Sequence, residues 1–200
     1  MPIRIQDGKL LYHVTAVENL ENIFKHGLLS RTDAISKKLL KVNIADHEII
    51  EKRKELGILQ YVPFHFYEKT PFTWTIFNNN PEKSFCCITI LRDFAKQQNF
   101  KICTAHPLSQ NPIAEVLDYE DGFRKINWEN AEKRDYDDSV SKNACMAECL
   151  AVSPVKPEDF FTIYIADNNT KDYVEFLATN ILGNYKFYID VNPSISKARI

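Results

Sequence analysis

No stretch of this chain stays apolar long enough to span a bilayer, and its opening, MPIRIQDGKLLYH, lacks the uninterrupted apolar run of a secretory signal. There is no CxxC pair and no Cys/His spacing suited to zinc. Five cysteines (86, 87, 103, 145, 149) make an odd count, which points to neither a disulfide framework nor a metal site. Internal repeats and linker-like runs are also missing. The net charge is only −2 over 200 residues, which argues against a nonspecific coat on nucleic acid. These absences lead to the expectation of one domain over residues 1–200, cytoplasmic, off the membrane, without metal, and with cysteines in its core.

Charge and aromatic residues are present, but unevenly. From Lys25 to Lys54 eight Lys/Arg face four Asp/Glu, whereas from Glu115 to Asp138 four face nine. Such asymmetry is an ordinary solvated surface, or one basic side offered to a phosphate backbone. Tyr61–Ile76, YVPFHFYEKTPFTWTI, packs six aromatic residues and two prolines into sixteen positions. In an extended chain Phe64 and Phe66 share a face and His65 takes the other. The prolines argue against an ordinary interior strand, so the segment reads as a strand that leaves its sheet to form an aromatic lid, or as an edge strand with a packed turn.

Along the chain, Leu10–Val14 reads as a strand with His13 near its end, and Thr15 and Glu18 as a capping box for a helix that Gly27 closes. Ser30–Lys41 reads as a basic loop. Asp46 can cap a second helix that ends at Gly57, with Ile49, Ile50 and Leu56 inward. Arg53, four after Ile49 and three after Ile50, falls on that apolar side, where it needs a salt-bridge partner, a route to solvent or an oxyanion ligand. Strands are expected at 84–91, 100–104, 160–166 and 185–191, and helices at 93–98, 128–133 and 170–182, the last with Tyr173, Phe176, Leu177 and Ile181 inward. If Lys142–Val152 is a strand, Glu148 shares a face with Ala144, Met146, Leu150 and Val152. A carboxylate among such neighbours must be paired, protonated or turned to a polar cleft. Short strands in irregular alternation with helices indicate α+β, largely antiparallel.

Four blocks then resemble one family in the right order. LLYHVTAVENLENIFKHGLLSR, the helix carrying IEKR, YVPFHFYEKTPFTW and ACMAECLAVSPVKPEDF are similar to the DarT family of bacterial DNA ADP-ribosyltransferases. The resemblance implies an ADP-ribosyltransferase fold, with two mainly antiparallel sheets flanking an NAD cleft and helices at the periphery. It implies NAD as donor and single-stranded DNA as acceptor. It also implies a monomeric toxin with a macrodomain antitoxin as partner. By position it makes Glu148 the catalytic acid and Arg53 the arginine at the donor's phosphates and reaction centre. His13, Thr15, Asn19, Gly27, Arg31, Phe66 and Thr70 join Arg53 in binding NAD, and Trp74 takes the place of the aromatic that stacks on nicotinamide.

His65, Lys69, Thr70, Phe72 and Trp74 depart from the family's usual Tyr, Arg, Ser, Met and Tyr. Thr70 keeps a hydroxyl and Trp74 a ring, while Lys69 keeps charge without the bidentate fork. Ser30–Lys41 and Ala105–Asn111 are the expected strand-contacting loops. The rival readings are a transferase acting on RNA or protein, and a noncatalytic module on the same scaffold.

Overall fold

Short extended segments rich in Ile, Val, Phe and Cys pair into a sheet because their alternate side chains find cores on its two faces. The computed structural model describes residues 4–44 and 47–195, so the Asp46 cap lies outside the described residues. Its strands are β1 (Leu10–Ala16), β2 (Tyr61–His65), β3 (Phe85–Leu91), β4 (Lys101–Cys103), β5 (Val116–Leu117), β6 (Glu148–Val152), β7 (Thr162–Ile165) and β8 (Tyr188–Val191). They form one eight-stranded sheet of order β5-β4-β6-β2-β1-β3-β7-β8. Every named pairing is antiparallel except β7 with β8, which are joined through helix α9 (Asn168–Leu182).

The α+β expectation holds, whereas that of two sheets needs correction. β1 pairs with β3 along its whole length, Leu10↔Leu91 to Ala16↔Phe85, but with β2 only at Tyr12↔His65. The single sheet is therefore split along most of this seam. Pro63 accounts for part of the split. Its carbonyl accepts from His13 Nδ1 at 2.8 Å, so the edge of β2 that lacks an N–H faces β1. β2 is thus an interior strand, held by β6 from Tyr61↔Val152 to His65↔Glu148.

One face carries the larger core, in which Leu11, Phe64, Ile88, Ile90, Ile102 and Ile163 are fully buried. Side chains of this size each contribute roughly 1.5–3 kcal/mol on burial. Helix α1 (Leu20–His26) covers this face with Leu20, Ile23 and Phe24, and α9 covers it with Val174 and Ala178. Tyr173 and Phe176, expected inward, are 51% and 66% exposed. The small Val174 and Ala178 take their place in the contact stripe, while Leu177 and Ile181 pack against the core as expected. The opposite face carries two smaller clusters, one around Val14, Ile76 and Phe77 and the other around Ile58, Cys103 and Leu150.

Local readings were revised where side chains found other partners. Thr15 is not a helix cap. It is buried in β1, and its hydroxyl accepts from Asn19 Nδ2 at 3.1 Å. Ser30–Lys41 contains α2 (Arg31–Ser36), capped by Ser30, which accepts from Asp33 N. Phe72 and Trp74 belong to a helix, α4 (Pro71–Asn79), with Thr70 as its N-cap and Pro71 at its first position. Lys142–Val152 divides into α8 (Ser139–Cys145), capped by Asp138, and β6, so only Glu148, Leu150 and Val152 alternate as a strand.

Candidate active site

The split between β1 and β2 opens a cleft of about 1310 Å³, open mouth included. Residues from both faces of the sheet line it. His13, Thr15 and Asn19 come from one side of the seam, and Tyr61, Pro63, His65 and Glu148 from the other. Helix α3 (His47–Glu55) closes this second side with Ile49, Ile50 and Arg53.

Arg53 is the buried residue of α3, 9% exposed, and Glu148 is 5% exposed at the start of β6. Arg53 Nη1 donates to Glu148 Oε2. The carboxylate that strand alternation places on an inward face therefore has its partner on a neighbouring helix. The pair leaves work undone: Arg53 Nη2 is buried without a partner among the described residues, as is His65 Nδ1. Buried polar atoms of this kind are costly unless a ligand meets them.

Three histidines surround the pair, and burial holds each imidazole below its usual pKa, that of His13 at about 4. For all three the loss of hydration outweighs the attraction of Glu148, so the rings are neutral at pH 7. His13 donates from Nδ1 to Pro63 O, which makes its Nε2 an acceptor. His106 has the other tautomer, because its Nδ1 accepts from Leu108 N at 3.2 Å.

Six of the nine expected donor-binding residues line the cleft: His13, Thr15, Asn19, Gly27, Arg31 and Arg53. They do so in different ways. Asn19 is saturated by protein; its amide nitrogen donates to Thr15 Oγ1 and Val42 O, and its oxygen accepts from Lys41 N and Val42 N. It shapes the wall. Gly27 ends α1 at φ +81, and a Cβ there would lie 2.9 Å from Pro154 Cβ, so both backbone and space require glycine. Arg31 is more open, with Nε on Asn43 Oδ1 at 3.2 Å.

Three of the nine lie elsewhere. Phe66 is core, packed edge-on against Trp128 with the buried Arg92 over its ring. Thr70 is spent on capping α4. Trp74 is 44% exposed and lines a second, outer cavity of about 1540 Å³, whereas Phe72 lines both cavities. Arg53 and Glu148 are brought together; Trp74 stands apart, because the helix begun by Pro71 turns its indole outward. His106 was not anticipated. It lies in a Pro- and Ser-bearing loop without periodicity, and only the fold places it beside Glu148.

The whole constellation can now be compared with known proteins. A family model described as "ssDNA thymidine ADP-ribosyltransferase, DarT" matches residues 12–193. The chain belongs to the DarT family. Its sheet and helices have the fold of the DarT ADP-ribosyltransferases. Thermus sp. 2.9 DarT in complex with ADP-ribosylated ssDNA superposes with a TM-score of 0.80 at 15% identity, over 98% of this chain and 100% of that one. The same DarT in complex with NAD+ gives 0.75 at 14% identity, over 94% and 98%. Thermosipho africanus DarTG in complex with ADP-ribose gives 0.74 at 18% identity, over 94% of this chain and 51% of that one. At such identities the DarT structures carry the fold. No curated protein sequence matches the chain. Among the described residues no helix is long and apolar enough to cross a membrane, and no cluster of His, Cys, Asp and Glu could hold a metal.

Proposed function

We propose that this protein is a single NAD-dependent transferase domain that moves ADP-ribose onto thymidine in single-stranded DNA, with Glu148 and Arg53 at its reaction centre. The buried Arg53–Glu148 pair at the split in the sheet carries the reading, because one guanidinium nitrogen beside it is left without a partner. NAD suits the chemistry of the cleft. It supplies the ribose–nicotinamide bond that breaks and the diphosphate that a cation must meet. Arg53 Nη2 is the donor within the cleft for an anionic or hydroxyl oxygen, and the acceptor face of His13 suits a ribose hydroxyl.

Glu148 then has two tasks. Its carboxylate offsets positive charge that develops on the sugar as the leaving group departs. It also accepts the proton that thymine must lose. Thymidine has one ring N–H, and the bond formed to the sugar replaces that hydrogen. Arg53 holds the carboxylate in place until then. The acceptor must be unstacked to reach the cleft, which favours single strands.

The reading extends to biology. A transferase that modifies DNA bases is toxic to its own cell, so a macrodomain antitoxin that removes the modification is the fitting partner. The Thermosipho africanus DarTG chain, about twice the matched length, supports that pairing. A cytoplasmic monomer completes the proposal. Mass spectrometry of short DNA and RNA oligonucleotides after incubation with NAD tests it. One ADP-ribose should be gained by thymidine-containing single-stranded DNA alone; gain by RNA only, or by neither, rejects the reading.

A further inference from the structure

The donor cleft and the outer cavity share a wall, and His106 stands in it. Its position is fixed from three directions. Its backbone N–H donates to Asn143 O at 3.0 Å, its carbonyl accepts from Ser109 N at 2.8 Å, and its Nδ1 accepts from Leu108 N at 3.2 Å. With Nδ1 used as an acceptor and the ring kept neutral by burial, the proton is on Nε2. That N–H has no partner among the described residues. It is a hydrogen-bond donor of fixed tautomer at the boundary between the two spaces.

The outer cavity suits a base. Phe72, Trp74 and Met146 give it flat or apolar surfaces, and Lys142 and Asn143 give it polar ones. A base that enters from there presents its edge to the wall that holds His106 and, beyond it, Glu148. Thymine has a carbonyl on each side of its ring N–H. Cytosine has an amino group in place of the 4-carbonyl, a donor that would meet a donor.

We propose that His106 reads the acceptor base, with its Nε2–H donating to the 4-carbonyl of the thymine held between the two cavities. The inference deepens the function proposed above and rests on it. Preference for thymine over cytosine then comes from the cost of facing two donors in a water-poor site. Deoxyuridine, which shares thymine's edge, should also be accepted.

Two substitutions separate reading from scaffolding. His106→Asn keeps an acceptor for Leu108 N but removes the distal donor. His106→Gln loses the local acceptor but places an amide N–H near the position of Nε2. Transfer to a thymidine oligonucleotide should fall about tenfold in H106N, about the worth of one hydrogen bond, and stay within about threefold in H106Q. The loss should appear in the oligonucleotide terms, with the KM for NAD unchanged. Oligonucleotides with 2-thio- or 4-thiothymidine weaken one carbonyl at a time. The wild type should lose about tenfold with 4-thiothymidine and little with 2-thiothymidine, and H106N nothing further with the 4-thio base.

The reverse order, with H106N active and H106Q impaired, would assign His106 to holding its own turn and overturn the proposal. So would a KM for NAD that rises as much as that for the oligonucleotide. A wild type indifferent to the 4-thio substitution overturns it without any variant, which covers a substitution that fails to fold. A wild type that labels no single-stranded DNA rejects the proposed function as well, so the two failures remain distinguishable.

Discussion

At the scale of single residues, the Arg53–Glu148 pair ties stability to activity. Both groups are nearly inaccessible, and removing one leaves the other's charge buried and uncompensated. Glu148→Ala should therefore destabilise the fold by about 3–5 kcal/mol, which confounds any activity assay. Glu148→Gln keeps a hydrogen-bond acceptor for Arg53. It should lower transfer by about 10²–10⁴-fold with a much smaller change in melting temperature, measured by labelled transfer from NAD and by calorimetry. His13 gives a second prediction. Its pKa falls from 6.5 to about 4 on folding because burial disfavours the charged ring. The unfolded chain binds more protons between those values, so this stability is complete above pH 6.5 and is lost as pH falls towards 4. His13→Asn, which keeps a donor for Pro63 O, should flatten the dependence of denaturant midpoint on pH across that window. His65 and His106 shift in the same direction, so part of the slope should remain. Arg53 and Glu148 were legible as anomalies in sequence, since each breaks an apolar pattern. His106 breaks none; only its loop, 105–111, was expected to meet the DNA strand, and nothing singled out the residue within it.

At the scale of elements, α4 connects the two cavities, with Phe72 on both and Trp74 on the outer one alone. Trp74→Ala should raise the KM for oligonucleotide about tenfold, as for the loss of one base–aromatic contact, and leave that for NAD within about twofold. An equal rise in both would return the indole to the donor site. Thr70 caps this helix, accepting from Thr73 N at 3.3 Å. Thr70→Ala should cost about 1 kcal/mol and lower the melting temperature by about 2–4 °C. Strands and several helices were readable from period and from capping residues, as with Gly27, Gly183 and Trp128–Lys133. The errors have a common cause. Thr15 satisfies a cap pattern but spends its hydroxyl on Asn19, and Lys142–Val152 is apolar enough for either helix or strand until Asp138 caps its first half.

At the scale of the whole molecule, the family resemblance and the physics of the residues arrived at the same fold by different routes. Where they disagreed with the structure, the disagreement was about continuity: two sheets were expected, and one exists, joined across the seam by a single rung, Tyr12 with His65. That lone rung gives the architecture a mechanical character. Each half of the sheet is braced by its own ladder, while the joint between them is nearly unbraced. On the proposed function, a dinucleotide lodged in the opening would act as a splint that spans both margins. Amide exchange along Tyr61–His65 should slow on NAD addition, while the β1–β3 ladder, already complete, changes little. Donor affinity and the stiffness of the scaffold are then one quantity, and a mutation anywhere along the joint alters both together.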